Sequence, residues 1–219
     1  VSAGRLPARA RAAALVLAAT AASGGCTRPV DGIPTPAPVT ATPAAVAELG
    51  ELVVTEVPSA LPRLADDGLQ PPAGAKRVED VATYADNPAR ERELLEDYGY
   101  LHGWERFWGA PDGAVTGVFV DQFEHRAGAG AYAADLARND TEYYRGVLRE
   151  DPAELPGNCW SMTVADPDPA LGLGGPAAFA WCGHGVFSVG VTAVAGSVDA
   201  AEAEVQAVIV AQIERLPPG

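Results

Sequence analysis

The chain has 219 residues, of which 48% are hydrophobic and 20% charged, with 29 acidic against 15 basic side chains and a formal net charge of −14. A surface this acidic repels the phosphates of nucleic acid and of anionic lipid headgroups, so DNA and RNA are set aside as partners. The length suits one domain with a sizeable core rather than two.

Arg5, Arg9 and Arg11 lead into the apolar run Ala12 to Ala22, which ends at Ser23-Gly24-Gly25-Cys26. So short a run does not span a bilayer as a stable helix, and a cationic head with a small-residue tail marks residues 1–25 as a signal peptide. The pattern resembles the leader of a bacterial lipoprotein, in which the cysteine becomes the lipid-bearing first residue. The resemblance implies acylation of Cys26 by chains such as palmitate, a membrane partner through that anchor, and an extracytoplasmic location. Ser23 departs from the pattern, which usually has an aliphatic residue there. Ala19-Thr20-Ala21 offers a rival cut that would release a soluble protein. Cysteine arithmetic favours the lipid: with Cys26 acylated, Cys159 and Cys182 remain as a pair, whereas a soluble product would export an odd thiol. Val1 in place of Met points to an alternative start codon or an incomplete N-terminus.

Residues 26–47 carry five prolines between Pro29 and Pro43 and no aromatic side chain. Such a segment buries no apolar surface and behaves as a semi-rigid spacer. The remaining residues, 48–219, form the single domain.

Leu52 to Val57 is β-branched and reads as a strand or a peripheral extended arm. Pro58 to Gly74 reads as loop. Asn87 as N-cap, Pro88 at the first helical position and Gly99 as the stop define a helix over Pro88 to Tyr98. Tyr100 to Gly109 and Ala114 to Glu124 are strand-like runs around the turn Ala110-Pro111-Asp112-Gly113, a hairpin. A four-residue loop sets Tyr100 opposite Phe123, Trp104 opposite Phe119 and Trp108 opposite Val115, all on one aromatic face. A helix follows over Arg126 to Asn139, with a further short helical turn in Thr141 to Glu150.

The second half repeats the order of hairpin then helix. Cys159 to Val164 and Ala177 to Cys182 flank the loop at 165–176. Pairing Cys159 with Cys182 also sets Trp160 opposite Trp181 and Met162 opposite Phe179. A disulfide there suits an exported protein and contributes roughly 2–4 kcal/mol. Val186 to Ala195 adds a strand that places Trp160, Trp181 and Phe187 in one row. Asp199 with Glu202 resembles a capping box, and Val205, Val208, Ile209, Ile213 and Leu216 recur at helical spacing up to Pro217. The fold class is α+β, a mainly antiparallel sheet of four to six strands with helices packed on one face.

The candidate chemistry is sparse. The hairpin register sets His102 against Asp121 at a Cβ separation of about 4.5–5.5 Å, the base-and-orienter half of a triad with no nucleophile placed beside it. Asp121 and His125 lie about 13 Å apart along one strand, too far for one metal ion. Gly172 to Ala177 matches a dinucleotide fingerprint in letters alone, since Pro176 leads into a strand rather than a helix. Ser188 is not in a nucleophile elbow. No cofactor or metal set is assembled. Glu105 with Asp121 is the acidic pair that a carbohydrate-active hydrolase would use.

The single lysine, Lys76, and the abundance of Ala, Gly and Pro resemble the composition of high-GC actinobacterial proteins. Val57 to Leu216, with YGYLHGWERFW and the cysteine pair, looks like secreted domains of the same bacteria. In outline it is similar to PsbP-like lipoproteins and to extracellular sensor domains of kinases. Taken together, the expectation is a membrane-tethered domain that binds a small molecule, envelope component or partner protein without catalysis. A cell-envelope hydrolase and an extracellular sensor are the alternatives.

Overall fold

A computed structural model describes residues 41–110 and 113–218 of the chain. The expected signal peptide at 1–25, the expected acylation site Cys26 and most of the expected spacer lie outside the described residues, as do Pro111 and Asp112 of the first hairpin turn.

The fold is α+β, built on one antiparallel sheet. In chain order the elements are α1 (Val46–Leu52), β1 (Gly74–Lys76), α2 (Val78–Ala82), α3 (Pro88–Tyr98), β2 (Tyr100–Gly109), β3 (Val115–Phe123), α4 (Arg126–Tyr144), β4 (Val147–Glu150), β5 (Cys159–Val164), β6 (Ala177–His184), β7 (Phe187–Val194) and α5 (Val198–Arg215). The sheet has seven strands in the order β1-β2-β3-β7-β6-β5-β4. That exceeds the expected four to six because two short edge strands were not legible. GAK is only three residues long, and VLRE at β4 lies in the stretch Thr141 to Glu150, whose sequence suits a helical turn.

Helices cover both faces of the sheet, not one. Both odd and even positions of β6 are apolar and buried, so each face needs a cover. Ala178, Ala180, Cys182, Val189 and Val191 pack under α5 with Val205, Val208 and Ile209. Each of the buried valines and Ile209 contributes about 1.5–3 kcal/mol. Ala177, Phe179, Trp181 and Met162 pack on the other side against Ala133 and Ala137 of α4.

The second hairpin has the expected register: Cys159 pairs with Cys182, Trp160 with Trp181 and Met162 with Phe179, and a disulfide joins Cys159 to Cys182. Phe187, however, packs on the α5 side, away from Trp181. The first hairpin departs by one residue. Tyr100 pairs with Phe123, but a bulge at Leu101 brings His102 opposite Gln122, Gly103 opposite Asp121 and Trp104 opposite Val120. One extra residue turns every later side chain of β2 to the other face. Trp104 and Trp108 therefore join the α5 side, while Tyr100 and Phe123 join the α3–α4 side.

Leu52 closes α1, and residues 53–57 run on as an arm outside the sheet. Its valines pack on the α5 side, and buried polar groups hold the backbone. Arg106 donates to the carbonyls of Val53 and Val54 at 2.8 Å and of Gly50 at 3.2 Å. Gln212 accepts from the Val54 amide at 2.9 Å. Gln122 donates to the carbonyl of Pro43, so the chain enters the domain on this face. On the other face α4 crosses close to the end of α3. A Cβ at Gly128 would lie 1.8 Å from the Tyr98 carbonyl oxygen, so only glycine permits the approach.

Candidate functional site

Between α4 and the sheet lies a cavity of about 700 Å³. Its walls are aromatic: Phe107 and Phe119 from the first hairpin, Phe179 and Trp181 from β6, Tyr132 and Tyr144 from α4. Phe179 and Trp181 stack at 5.6 Å between centroids, and Tyr144 stacks on Phe179 at 5.2 Å. Gly190, on β7 opposite Trp181, keeps the floor open.

Polar groups gather at one end. Glu105 and Asp121 project from neighbouring strands on this face, displaced by one same-face position, because Glu105 pairs with Phe119 and Asp121 with Gly103. Tyr100, paired with Phe123 ahead of the bulge, lies on the same face, and its hydroxyl donates to Asp121 Oδ1 at 3.0 Å. Gly103 makes this possible, since a Cβ there would lie 2.2 Å from Asp121 Oδ1 and 2.6 Å from the Tyr100 oxygen. Lys76 on β1 is buried, donates to the Pro72 carbonyl and pairs with Glu105 Oε2 at 3.1 Å. The Tyr84 hydroxyl, from the loop after α2, donates to both Glu105 oxygens.

Burial governs the charges. It pushes Asp121 up to about 7, against the opposing pull of the Tyr100 hydrogen bond. Burial also raises Glu105, with Lys76 offsetting. Asp140, lining the cavity from α4, is pushed up to about 6 by burial. Its carboxylate has no hydrogen-bond or ion-pair partner among the described residues. Tyr84, Tyr100 and Tyr132 are raised, burial first, and all three hydroxyls remain protonated donors.

The expected His102–Asp121 pair does not form. The bulge sends His102 to the opposite face, where its Nε2 is buried without a partner and burial lowers the imidazole. Ser188, buried on β7, is the residue directly opposite Asp121, yet no imidazole accompanies it: His184 Nε2 bonds the Pro217 carbonyl oxygen at 2.9 Å and His125 is exposed beside Glu124. Glu105 and Asp121 do share the cavity, but Lys76 and Tyr84 occupy the Glu105 carboxylate. Among the described residues no group of three or more His, Cys, Asp or Glu lies within reach of one metal ion.

Lys76, Tyr84, Tyr100, Tyr132 and Asp140 were not marked as site residues by the sequence. No protein-family model matches the chain, and no curated protein or solved structure matches it either.

Proposed function

We propose that the protein is a membrane-tethered extracytoplasmic lipoprotein whose domain binds a small molecule between α4 and the sheet. The observation that carries the reading is the cavity, aromatic along most of its wall with the carboxylates of Glu105, Asp121 and Asp140 in its lining, the composition expected of a small-ligand pocket. Binding is preferred to hydrolysis because Glu105, the partner a second carboxylate would need, is held by Lys76 and Tyr84. The tether rests on the leader and Cys26, and the Cys159–Cys182 bridge is in keeping with an oxidising compartment.

Two measurements test the two parts. N-phenyl-1-naphthylamine, a neutral apolar dye, should fluoresce on addition to the full chain and lose most of that signal with Gly190→Leu, which places a side chain in the cavity. A Cβ at Gly190 meets Phe119 and Trp181 at ordinary contact distances of 3.6–3.7 Å, so the backbone tolerates the change. Undiminished dye binding sinks the pocket. Cys26→Ser should move the protein from the membrane fraction to the medium, and retention on the membrane sinks the anchor.

A further inference from the structure

The two carboxylates at the polar end of the cavity are met differently. Glu105 has a cation, Lys76 at 3.1 Å, and a phenol. Asp121, 9% exposed and in the cavity lining, receives one neutral hydroxyl from Tyr100 and has no ion pair among the described residues. A buried carboxylate without a cation is costly. A neutral or anionic occupant would leave it so, and an anionic one would add repulsion.

Much of the remaining wall is lined by aromatic side chains, which give the body of a ligand apolar surface to lie against. Phe119, Phe179, Trp181, Tyr132 and Tyr144 supply them. A bare metal ion would want three or more gathered ligands, which the described residues do not provide. We infer that the cavity selects an organic cation: an ammonium or guanidinium group paired with Asp121, on an apolar or aromatic body lying along Phe119, Phe179 and Trp181.

The inference rests on the reading of the cavity as a binding site and names its ligand class. Two further facts support it. The acidic chain, at −14, raises the local concentration of cations. Asp121 is faced by Tyr100 and Glu105 from β2, Ser188 from β7 and Tyr132 from α4, with Lys76 on β1 already paired to Glu105. Since burial sets Asp121 at about 7, at about pH 8 the carboxylate is ionised and ready for a cation.

The test is calorimetric titration of the full chain at about pH 8 with 4-phenylbutylammonium and 4-phenylbutan-1-ol, which share a body and differ in charge. The ammonium should bind at least about tenfold tighter. In Asp121→Asn the preference should shrink to within about threefold, through loss of ammonium affinity alone. Equal binding of the alcohol by the unaltered chain, a preference that survives Asp121→Asn, or binding of neither probe each overturns the cation assignment. The dye experiment with Gly190→Leu then reports separately whether the pocket itself stands. Should Asp121→Asn fail to fold, the comparison of the two probes on the unaltered chain decides.

Discussion

Tyr100 and Asp121 meet across the first hairpin because the bulge at Leu101 sets Gly103, which has no side chain, opposite Asp121. The hydroxyl donates to the charged form of the carboxyl and so holds its pKa down against burial. Tyr100→Phe should therefore raise Asp121 above about 7. Carboxyl-carbon NMR titration measures this directly, and an unchanged or lower midpoint would contradict the assigned bond.

Asp121 also links stability to pH. Its folded value, about 7, lies above the ordinary 3.8, so between about pH 4 and 7 the unfolded chain has released a proton that the folded chain keeps. The unfolded state binds fewer protons, and stability falls as pH rises, by at most about 1.4 kcal/mol per pH unit for one group, levelling above about 7. Asp140, set at about 6, adds to the fall with the same sign and levels earlier. Urea unfolding between pH 5 and 7 should show a shallower decline for Asp121→Asn than for the unaltered chain.

The Cys159–Cys182 bridge joins residues 23 apart in sequence. Loop-closure entropy for such a span corresponds to about 3 kcal/mol. The Cys159→Ser, Cys182→Ser double variant should lose about that much in urea unfolding, and mass spectra of the native chain before and after reduction should differ by two hydrogens.

Arg106 is a buried guanidinium that donates to three backbone carbonyls of α1 and the arm behind it. Arg106→Met leaves those carbonyls unpaired and should cost about 2–3 kcal/mol. Lysine, with a point charge in place of a fork, should recover less than half of that. Hydrogen exchange at the backbone of residues 46–57 should speed up in both variants.

What could be read in the sequence was local. Asn87-Pro88 and Gly99 bounded α3 at its true ends, with Asn87 accepting from the Arg90 amide and Gly99 in the left-handed region. The α5 stripe was legible too, though its cap is Ser197, which accepts from the Ala200 amide, rather than Asp199. The register of the second hairpin followed from its cysteines. The register of the first did not, because a bulge leaves no mark in the alternation until its partner strand is known. That single residue hid the site: it parted His102 from Asp121 and set Gly103 there instead, which leaves room for the Tyr100 hydroxyl. Lys76 and Tyr84 reach Glu105 only through long-range packing, which no local spacing encodes.

The arm that Arg106, Gln122 and Gln212 clasp runs over the reverse side of the sheet from the aromatic chamber. Under the proposed tethering, a leash fastened there pulls on the back of the domain, so loading and unloading of the chamber need not disturb its mooring. On the tethered reading, the opening is free to face molecules arriving from beyond the cell, and the moored side is left for the leash alone.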